Sequence, residues 1–115
     1  MLLDSGIVTV CILSADGTKG AEPKETLHPK SSHYYGERTV GYGRQYAAKG
    51  VKERVDMLIR VWQDRSIRID MHAVLENNEQ YKIGNVQHLT DEDGLLVTDM
   101  SLERVDKPYA IDGDT

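Results

Sequence analysis

Several groups of side chains in this sequence could bind an ion or carry out chemistry. The acidic run Asp91-Glu92-Asp93-Gly94 offers oxygen atoms of the kind that calcium binds. Calcium loops of the EF-hand type place their oxygen ligands at alternating positions over about twelve residues. Because the three acids here are consecutive, they cannot all face one ion. The run instead predicts a hairpin turn in which Gly94 adopts the left-handed backbone conformation.

Two histidines and one cysteine are the next candidates. His72 and His88 could meet across a sheet and supply half of a zinc site, but no Cys partner, H-x-E or C-x-x-C spacing accompanies them. They are therefore interpreted as surface or edge-strand histidines. Cys11 lies inside the apolar run 7–13, with no His or acid at a spacing that suggests a nucleophile. It is predicted to be a small buried hydrophobe.

The remaining motifs are less specific. The segment Gly41-Tyr42-Gly43-Arg44 lacks the third glycine and the strand–helix–strand context of a phosphate-binding loop. Acids interleave with the cations between residues 49 and 70, which favours a mixed, salt-bridged surface over a nucleic-acid-binding stripe. The cations are Lys49, Lys52, Arg54, Arg60, Arg65 and Arg68. No Ser/His/Asp or paired-carboxylate spacing is present, so the sequence predicts a protein that is not an enzyme and uses no cofactor.

Composition sets the class of protein. A chain of 115 residues, 39% apolar and 29% charged, is typical of a single globular domain. The net charge of −5 argues against sequence-independent binding to a phosphate backbone. Six Tyr and one Trp, with no Phe, give aromatic side chains of the type found at protein interfaces. The first residues are predicted to be neither a signal peptide nor a membrane span, and one Cys without a partner favours folding in a reducing compartment.

Alternation and turn residues predict six strands. They cover residues 7–13, 33–40, 55–62, 70–76, 79–90 and 95–104. Asn77-Asn78 predicts a tight hairpin, because Asn tolerates a positive φ. Gly84 predicts a bulge, and residues 44–49 predict a short helix that ends at Gly50. The strands imply an all-β fold, a small antiparallel barrel or sandwich with one short helix.

Three finer expectations concern the last strand and the irregular segments. The last strand is expected to bury Leu96, Thr98, Met100 and Leu102 and to expose the alternate residues. Residues 14–32 contain two Pro, two Gly and almost nothing to bury, and predict a long loop after the first strand. This loop either orders on meeting a partner or is disordered. Residues 106–115 predict a loosely ordered tail.

Several phrases of the sequence resemble those of one protein family. They are residues 35–42 (Tyr-Gly-Glu-Arg-Thr-Val-Gly-Tyr) running into 44–48 (Arg-Gln-Tyr-Ala-Ala), then 54–61, 80–83, 86–95 and 102–104. The order of these elements is similar to that of the phage head–tail joining family, the small connectors that close the filled heads of long-tailed phages. The chain departs from the family at its start, because the family opens with a basic strand and this chain has Ile7-Val8-Thr9-Val10-Cys11. The head-closing stopper and a neighbouring neck or tail-joining protein both remain open.

The resemblance implies a β-barrel that assembles as a ring, commonly of twelve copies, between a portal-side adaptor and the tail of the virion. DNA would pass through the channel without specific binding, since a negative lining repels phosphates. The loop 14–32 would gate the channel or act as a docking arm, and four tyrosines would serve in packing or at interfaces. The candidate residues are Lys19, Glu22, Lys24, Glu25, His28, Lys30, Tyr34, Tyr35, Tyr42 and Tyr46. The alternative is a nucleic-acid-binding barrel of the OB type, which would place exposed aromatic residues beside cations.

Overall fold

Every regular element that the structure describes is a β-strand. The computed structural model describes residues 3–16, 24–38 and 55–111. The strands are β1 (Gly6–Asp16), β2 (Lys24–Arg38), β3 (Met57–Trp62), β4 (His72–Leu75), β5 (Gln80–Thr90), β6 (Leu96–Arg104) and β7 (Ala110–Ile111). The all-β prediction is confirmed. The predicted helix at 44–49 and the candidates Lys19, Glu22, Tyr42 and Tyr46 lie outside the described residues.

The seven strands form one sheet that closes on itself. Neighbouring strands follow the order β1-β4-β5-β6-β3-β2, and a further pairing of β1 with β2 joins the two ends into a ring-like arrangement. These pairings are all antiparallel. The short strand β7 lies outside the ring and runs parallel to β2, with Thr26 opposite Ala110 and Leu27 opposite Ile111.

The main hydrophobic core is built from the strand faces that point into the ring. Side chains from all six strands of the ring pack together here, among them Val8, Val10, Tyr35, Ile59, Val61, Ala73, Ile83, Met100 and Leu102. Most of these residues are β-branched or long aliphatic residues at alternating positions, which is the pattern that a pleated strand needs to bury one face. Tyr35 is 6% exposed, so of the two roles considered for it, it packs in the core of this chain.

The prediction that β6 buries only one face is wrong. Val97 and Ser101, which were expected to be exposed, are 0% and 3% exposed, whereas Leu96 is 57% exposed. β6 is a central strand that pairs with β5 on one side and with β3 on the other. Residues on both of its faces are buried over most of its length.

The predicted turns are confirmed. Asn78 has a φ of 65° in the turn between β4 and β5, and Gly94 has a φ of 82° in the turn between β5 and β6. The pairing of β5 with β6 shifts register between Ile83 and Asn85, which places the bulge at Gly84. In the acidic turn, Asp91 Oδ1 accepts hydrogen bonds from the backbone N–H groups of Asp93 and Leu95, at 2.9 and 2.8 Å.

The prediction of a loop over residues 14–32 is wrong for every part of it that the structure describes. Residues 14–16 belong to β1, and residues 24–32 belong to β2, which begins at Lys24 and includes the predicted strand from His33. The two strands pair from Gly6 opposite Tyr35 to Asp16 opposite Lys24. Pro29 is tolerated because a register shift beside it leaves Lys30 as an extra residue, and a bulge is a place where a strand accepts proline.

The predicted loose tail is also corrected in its described part. Residues 110 and 111 form β7, and their pairing with β2 supplies backbone partners that the sequence pattern did not indicate. Residues 112–115 lie outside the described part of the chain.

Candidate interaction surface

The hairpin of β1 and β2 is longer than the rest of the sheet. β4 pairs with β1 only at Val8–Cys11, whereas β2 continues beside β1 as far as Asp16. We call residues 12–16 and 24–28 the arm. Five residues of extended strand span about 17 Å, and the molecule measures 52 Å along its longest axis against 31 and 23 Å along the others. Within the described residues, the β1 side of the arm has no strand next to it other than β2.

On the face of this hairpin that points away from the main core, the two central cross-strand pairs contain no Asp, Glu, Lys or Arg. The register places Ile7 opposite Tyr34 and Thr9 opposite Ser32, and these four residues define the outer patch. Directly opposite residues share a face of a sheet. Ile7 is 42% exposed and Tyr34 is 66% exposed, while the Thr9 and Ser32 hydroxyl oxygens lie 3.2 Å apart. The patch is therefore uncharged, partly aromatic and open to solvent.

The same face continues into a second, smaller hydrophobic cluster. Cys11, Leu27 and Val74 are buried here, and Leu13, Tyr109 and Ile111 pack against them. Cys11 is 0% exposed, as predicted, and burial raises the pKa of its thiol to about 11, so it stays protonated at neutral pH. The segment 109–111 thus covers one end of the outer face and leaves the outer patch open.

The candidate residues in the hairpin occupy different environments. Tyr34 lies in the outer patch, and Glu25 and Lys30 are exposed. Lys30 Nζ donates a hydrogen bond to Ser66 Oγ, which ties β2 to the turn after β3. His28 is half-buried opposite Ile12, and Lys24 is the first residue of β2. Of the predicted residues that the structure describes, only Tyr34 lies in the outer patch.

A Ser/His/Asp group that spacing did not predict lies near the root of the hairpin. His33 Nε2 is 2.9 Å from Ser31 Oγ and 3.4 Å from Asp64 Oδ2. A hydrolytic triad needs the acid on one ring nitrogen and the nucleophile on the other. Here both partners approach the same nitrogen, so the acid cannot orient the ring for proton transfer from the serine. The geometry is that of a structural contact between β2 and the turn 63–66.

The titration of this group supports the same conclusion. Burial lowers the pKa of His33, and Lys30 adds to that effect while Asp64 opposes it. The pKa of Asp64 is lowered chiefly by its hydrogen bond with Ser66. An ion pair raises the pKa of a histidine, whereas the pKa of His33 is lowered. At neutral pH His33 is therefore uncharged, and its contact with Asp64 is not a salt bridge.

The predictions for the other polar candidates are partly wrong. His72 was expected at the surface or in an edge strand but is 3% exposed in β4, which pairs with β1 and with β5. Arg60 was expected in a mixed surface yet is 6% exposed, and its guanidinium forms two hydrogen bonds with Asp99, from Nε to Oδ1 at 2.6 Å and from Nη2 to Oδ2 at 2.9 Å. Both residues have direct neighbours on adjacent strands, which single-strand alternation does not show. Within the described ranges, no cluster of three or more His, Cys, Asp or Glu residues is arranged to bind a metal ion.

Sequence inspection missed Ile7 and the segment 109–111 as parts of a surface. Ile7 lies in an apolar run in which both faces look alike. Its exposure is evident only once Val8 and Val10 are seen to be fully buried on the opposite face of the strand. No local signal indicates that Tyr109 and Ile111 fold back onto β1 and β2.

Comparison with known proteins adds no family to this description. No protein-family model matches the chain, and no curated protein sequence is significantly similar to it. Across residues 3–16, 24–38 and 55–111 there is no helix of the length and apolarity that crossing a membrane requires.

Proposed function

We propose that this chain is a structural connector whose copies associate into a ring at the head–tail junction of a long-tailed phage. The observation that carries the self-association is the exposed pair Ile7 and Tyr34, which lies on an uncharged face beside an arm that extends past the sheet. Aromatic and aliphatic side chains at the centre of a patch free of charges are typical of protein–protein contacts. The location at a head–tail junction rests on the sequence resemblance.

The charge of the chain is consistent with this role. Copies that each carry a net charge of −5 repel one another at long range. An uncharged patch is the part of such a surface where two copies can meet without desolvating a charge. A ring with this net charge would let DNA pass through its channel without holding it.

The arm provides the reach that a connector needs. Its β1 edge offers unpaired backbone donors and acceptors in the described residues, and such edges can pair with a strand of another chain. In the proposed assembly the outer patch contacts a neighbouring copy and the arm contacts the next protein along the axis, the portal-side adaptor or the tail.

The experiment compares two substitutions that add one negative charge at an exposed apolar residue. Tyr34→Glu lies in the outer patch, and Ile69→Glu, its matched control, replaces a side chain that is 55% exposed in the turn before β4. Light scattering after size-exclusion chromatography measures assembly of the protein alone and after mixing with a portal–adaptor complex or with purified tails. We expect Tyr34→Glu to abolish assembly and Ile69→Glu to preserve it.

Two results would contradict the proposal. The first is failure of the wild-type protein to join either phage assembly under conditions in which the adaptor binds its usual partners. The second is binding of a single-stranded oligonucleotide at low salt, detected as a change in the fluorescence of Trp62, the only tryptophan, which is 52% exposed. The second result would favour the OB-type binding module instead.

A further inference from the structure

Among the described residues, a small number of contacts hold the segment 109–111 to the sheet. The buried side-chain amide of Gln80 acts as a substitute for a neighbouring strand: its Nε2 donates to the Tyr109 carbonyl at 2.8 Å, and the Tyr109 N–H donates to its Oε1 at 2.7 Å. Beyond that, two residues pair with β2, and Tyr109 and Ile111 cover Cys11, Leu27 and Val74. An element with so few contacts can open locally without unfolding the rest of the sheet.

The residue under this segment is a buried histidine. His72 is 3% exposed, and its ring meets that of Tyr109 edge to face, with centroids 5.3 Å apart and an angle of 83° between the rings. Its Nδ1 is buried, and no hydrogen-bond partner for it is present in the described residues. A ring nitrogen in this position can remain without a partner when the imidazole is neutral, but a protonated imidazole would have an unsatisfied donor in an apolar site.

We propose that residues 109–111 are a pH-sensitive latch, closed over the outer face while His72 is neutral and released when its imidazole takes up a proton. Neither the proposed ring nor the proposed phage role is needed for this inference. It rests on the burial of the ring, the unpartnered nitrogen and the few contacts that hold the segment.

The charged and titratable groups around the ring favour the neutral form. Lys82 of β5 lies directly opposite His72 in the register. Burial lowers the pKa of His72 from 6.5 and Lys82 lowers it further, while Asp70, before β4, and Glu25 of β2 act in the opposite direction. From β1, Cys11 faces the ring as a neutral thiol. From the latch itself, the facing group is the Tyr109 ring.

The direction of the pH effect follows from these shifts. The pKa of His72 is lowered in the closed state, so the open state binds more protons between that pKa and the ordinary value near 6.5. Closure is fully favoured above pH 6.5 and weakens as the pH falls below it. Opening would uncover Cys11, Leu27 and Val74 and extend the exposed apolar surface that begins at the outer patch.

Nuclear magnetic resonance on the full chain tests the latch directly. The His72 ring signals report its protonation, and contacts between the Ile111 and Leu27 methyl groups report closure. Between pH 8 and pH 5, we expect these contacts to disappear with the midpoint at which His72 titrates, below 6.5. The Ile59 and Ile83 methyl signals, from the main core, should stay unchanged over this range.

Three variants complete the test. His72→Phe keeps an aromatic ring without a titrating nitrogen and should hold the latch closed at pH 5. His33→Gln removes the other histidine with a lowered pKa and should leave the opening midpoint unchanged. Gln80→Leu should open the latch at pH 8, because it removes both hydrogen bonds to Tyr109.

Several outcomes would overturn the latch. A cation–π contact with Tyr109 would favour protonated His72, and a midpoint above 6.5 with the methyl contacts intact would show that this attraction dominates. Equal opening in wild type and in His72→Phe would show that another group titrates. Simultaneous loss of the Ile59 and Ile83 signals would show that the whole chain unfolds, with no separate latch.

Discussion

At the scale of single residues, Arg60 and Asp99 form a largely buried ion pair with two hydrogen bonds. Their side chains are only 8% and 14% exposed, and the two-point geometry satisfies both groups. The hydrogen bond that Arg60 donates to Asp99 is the main cause that raises the pKa of Arg60. Desolvation offsets most of the attraction within such a pair, but loss of one partner leaves an uncompensated buried charge.

This predicts a specific pattern of stabilities. Asp99→Leu should lower the free energy of unfolding by about 3 kcal/mol, and the double variant Arg60→Met with Asp99→Leu should recover most of that loss. Urea denaturation monitored by Trp62 fluorescence measures the free energy of unfolding of the single and the double variant. Lys82→Met, at an ion pair whose side chains are 52% and 81% exposed, is the control and should change stability by less than about 0.5 kcal/mol. Equal effects of Lys82→Met and Asp99→Leu would contradict the argument.

At the scale of elements, the turn between β5 and β6 depends on one backbone conformation. Gly94 has a φ of 82°, and an added Cβ would meet no atom within 4 Å. The cost of a side chain here is therefore backbone strain alone. We expect Gly94→Ala to lower the free energy of unfolding by about 1–2 kcal/mol, and Gly94→Asn by less, because Asn tolerates this region.

The bulge glycine provides the matched control. Gly84 has no positive φ, and the nearest atom to an added Cβ is Ser101 Oγ at 3.8 Å, an ordinary contact distance. Gly84→Ala should therefore be tolerated, and thermal unfolding compares its stability with that of Gly94→Ala. If both alanine variants were equally destabilised, loss of strand pairing rather than backbone strain would be the cause.

The arm makes a second prediction at this scale. Replacing residues 15–25 by Asn-Gly would keep Ser14 opposite Thr26 and retain Leu13 and Leu27. The shortened chain should keep its cooperative thermal unfolding, because the described residues that it loses belong to neither hydrophobic cluster. Assembly with a portal–adaptor complex or tails should be impaired.

Leu27 lies in the arm but is retained in the shortened chain, because its side chain is buried. It is 0% exposed and pairs with both Leu13 and Ile111. Leu27→Ala should cost about 2–5 kcal/mol, the usual range for a buried leucine. Loss of folding in the shortened chain, with Leu27 present, would show that the arm belongs to the folding unit.

At the scale of the whole molecule, net charge and the outer patch have opposite effects on association. Copies that carry a net charge of −5 repel one another, and salt screens that repulsion over about 10 Å at 0.1 M. If copies meet through Ile7 and Tyr34, self-association should strengthen as sodium chloride rises from 50 to 500 mM. Sedimentation velocity measures this, and weakening with salt would indicate contacts between opposite charges instead.

Local sequence determined the parts of the structure that depend on near neighbours. Asn78 and Gly94 were predicted as turn residues because few residues adopt a positive φ, and Gly84 was predicted as a bulge. The β-branched residues of β1 and the alternation of apolar residues in β3 and β5 indicated strands, because both are properties of a short stretch of chain. The burial of Cys11 followed from its place in an apolar run.

Tertiary structure alone decided which faces are covered and which polar segments form strands. β2 is too polar to predict as a strand before His33, and it is ordered by pairing with β1 along its length. β6 buries residues on both faces, whereas its own alternation indicates burial of only one. The outer patch and the latch over His72 arise where residues from distant parts of the chain meet, and the free energy of such contacts does not depend on the local pattern of any one strand.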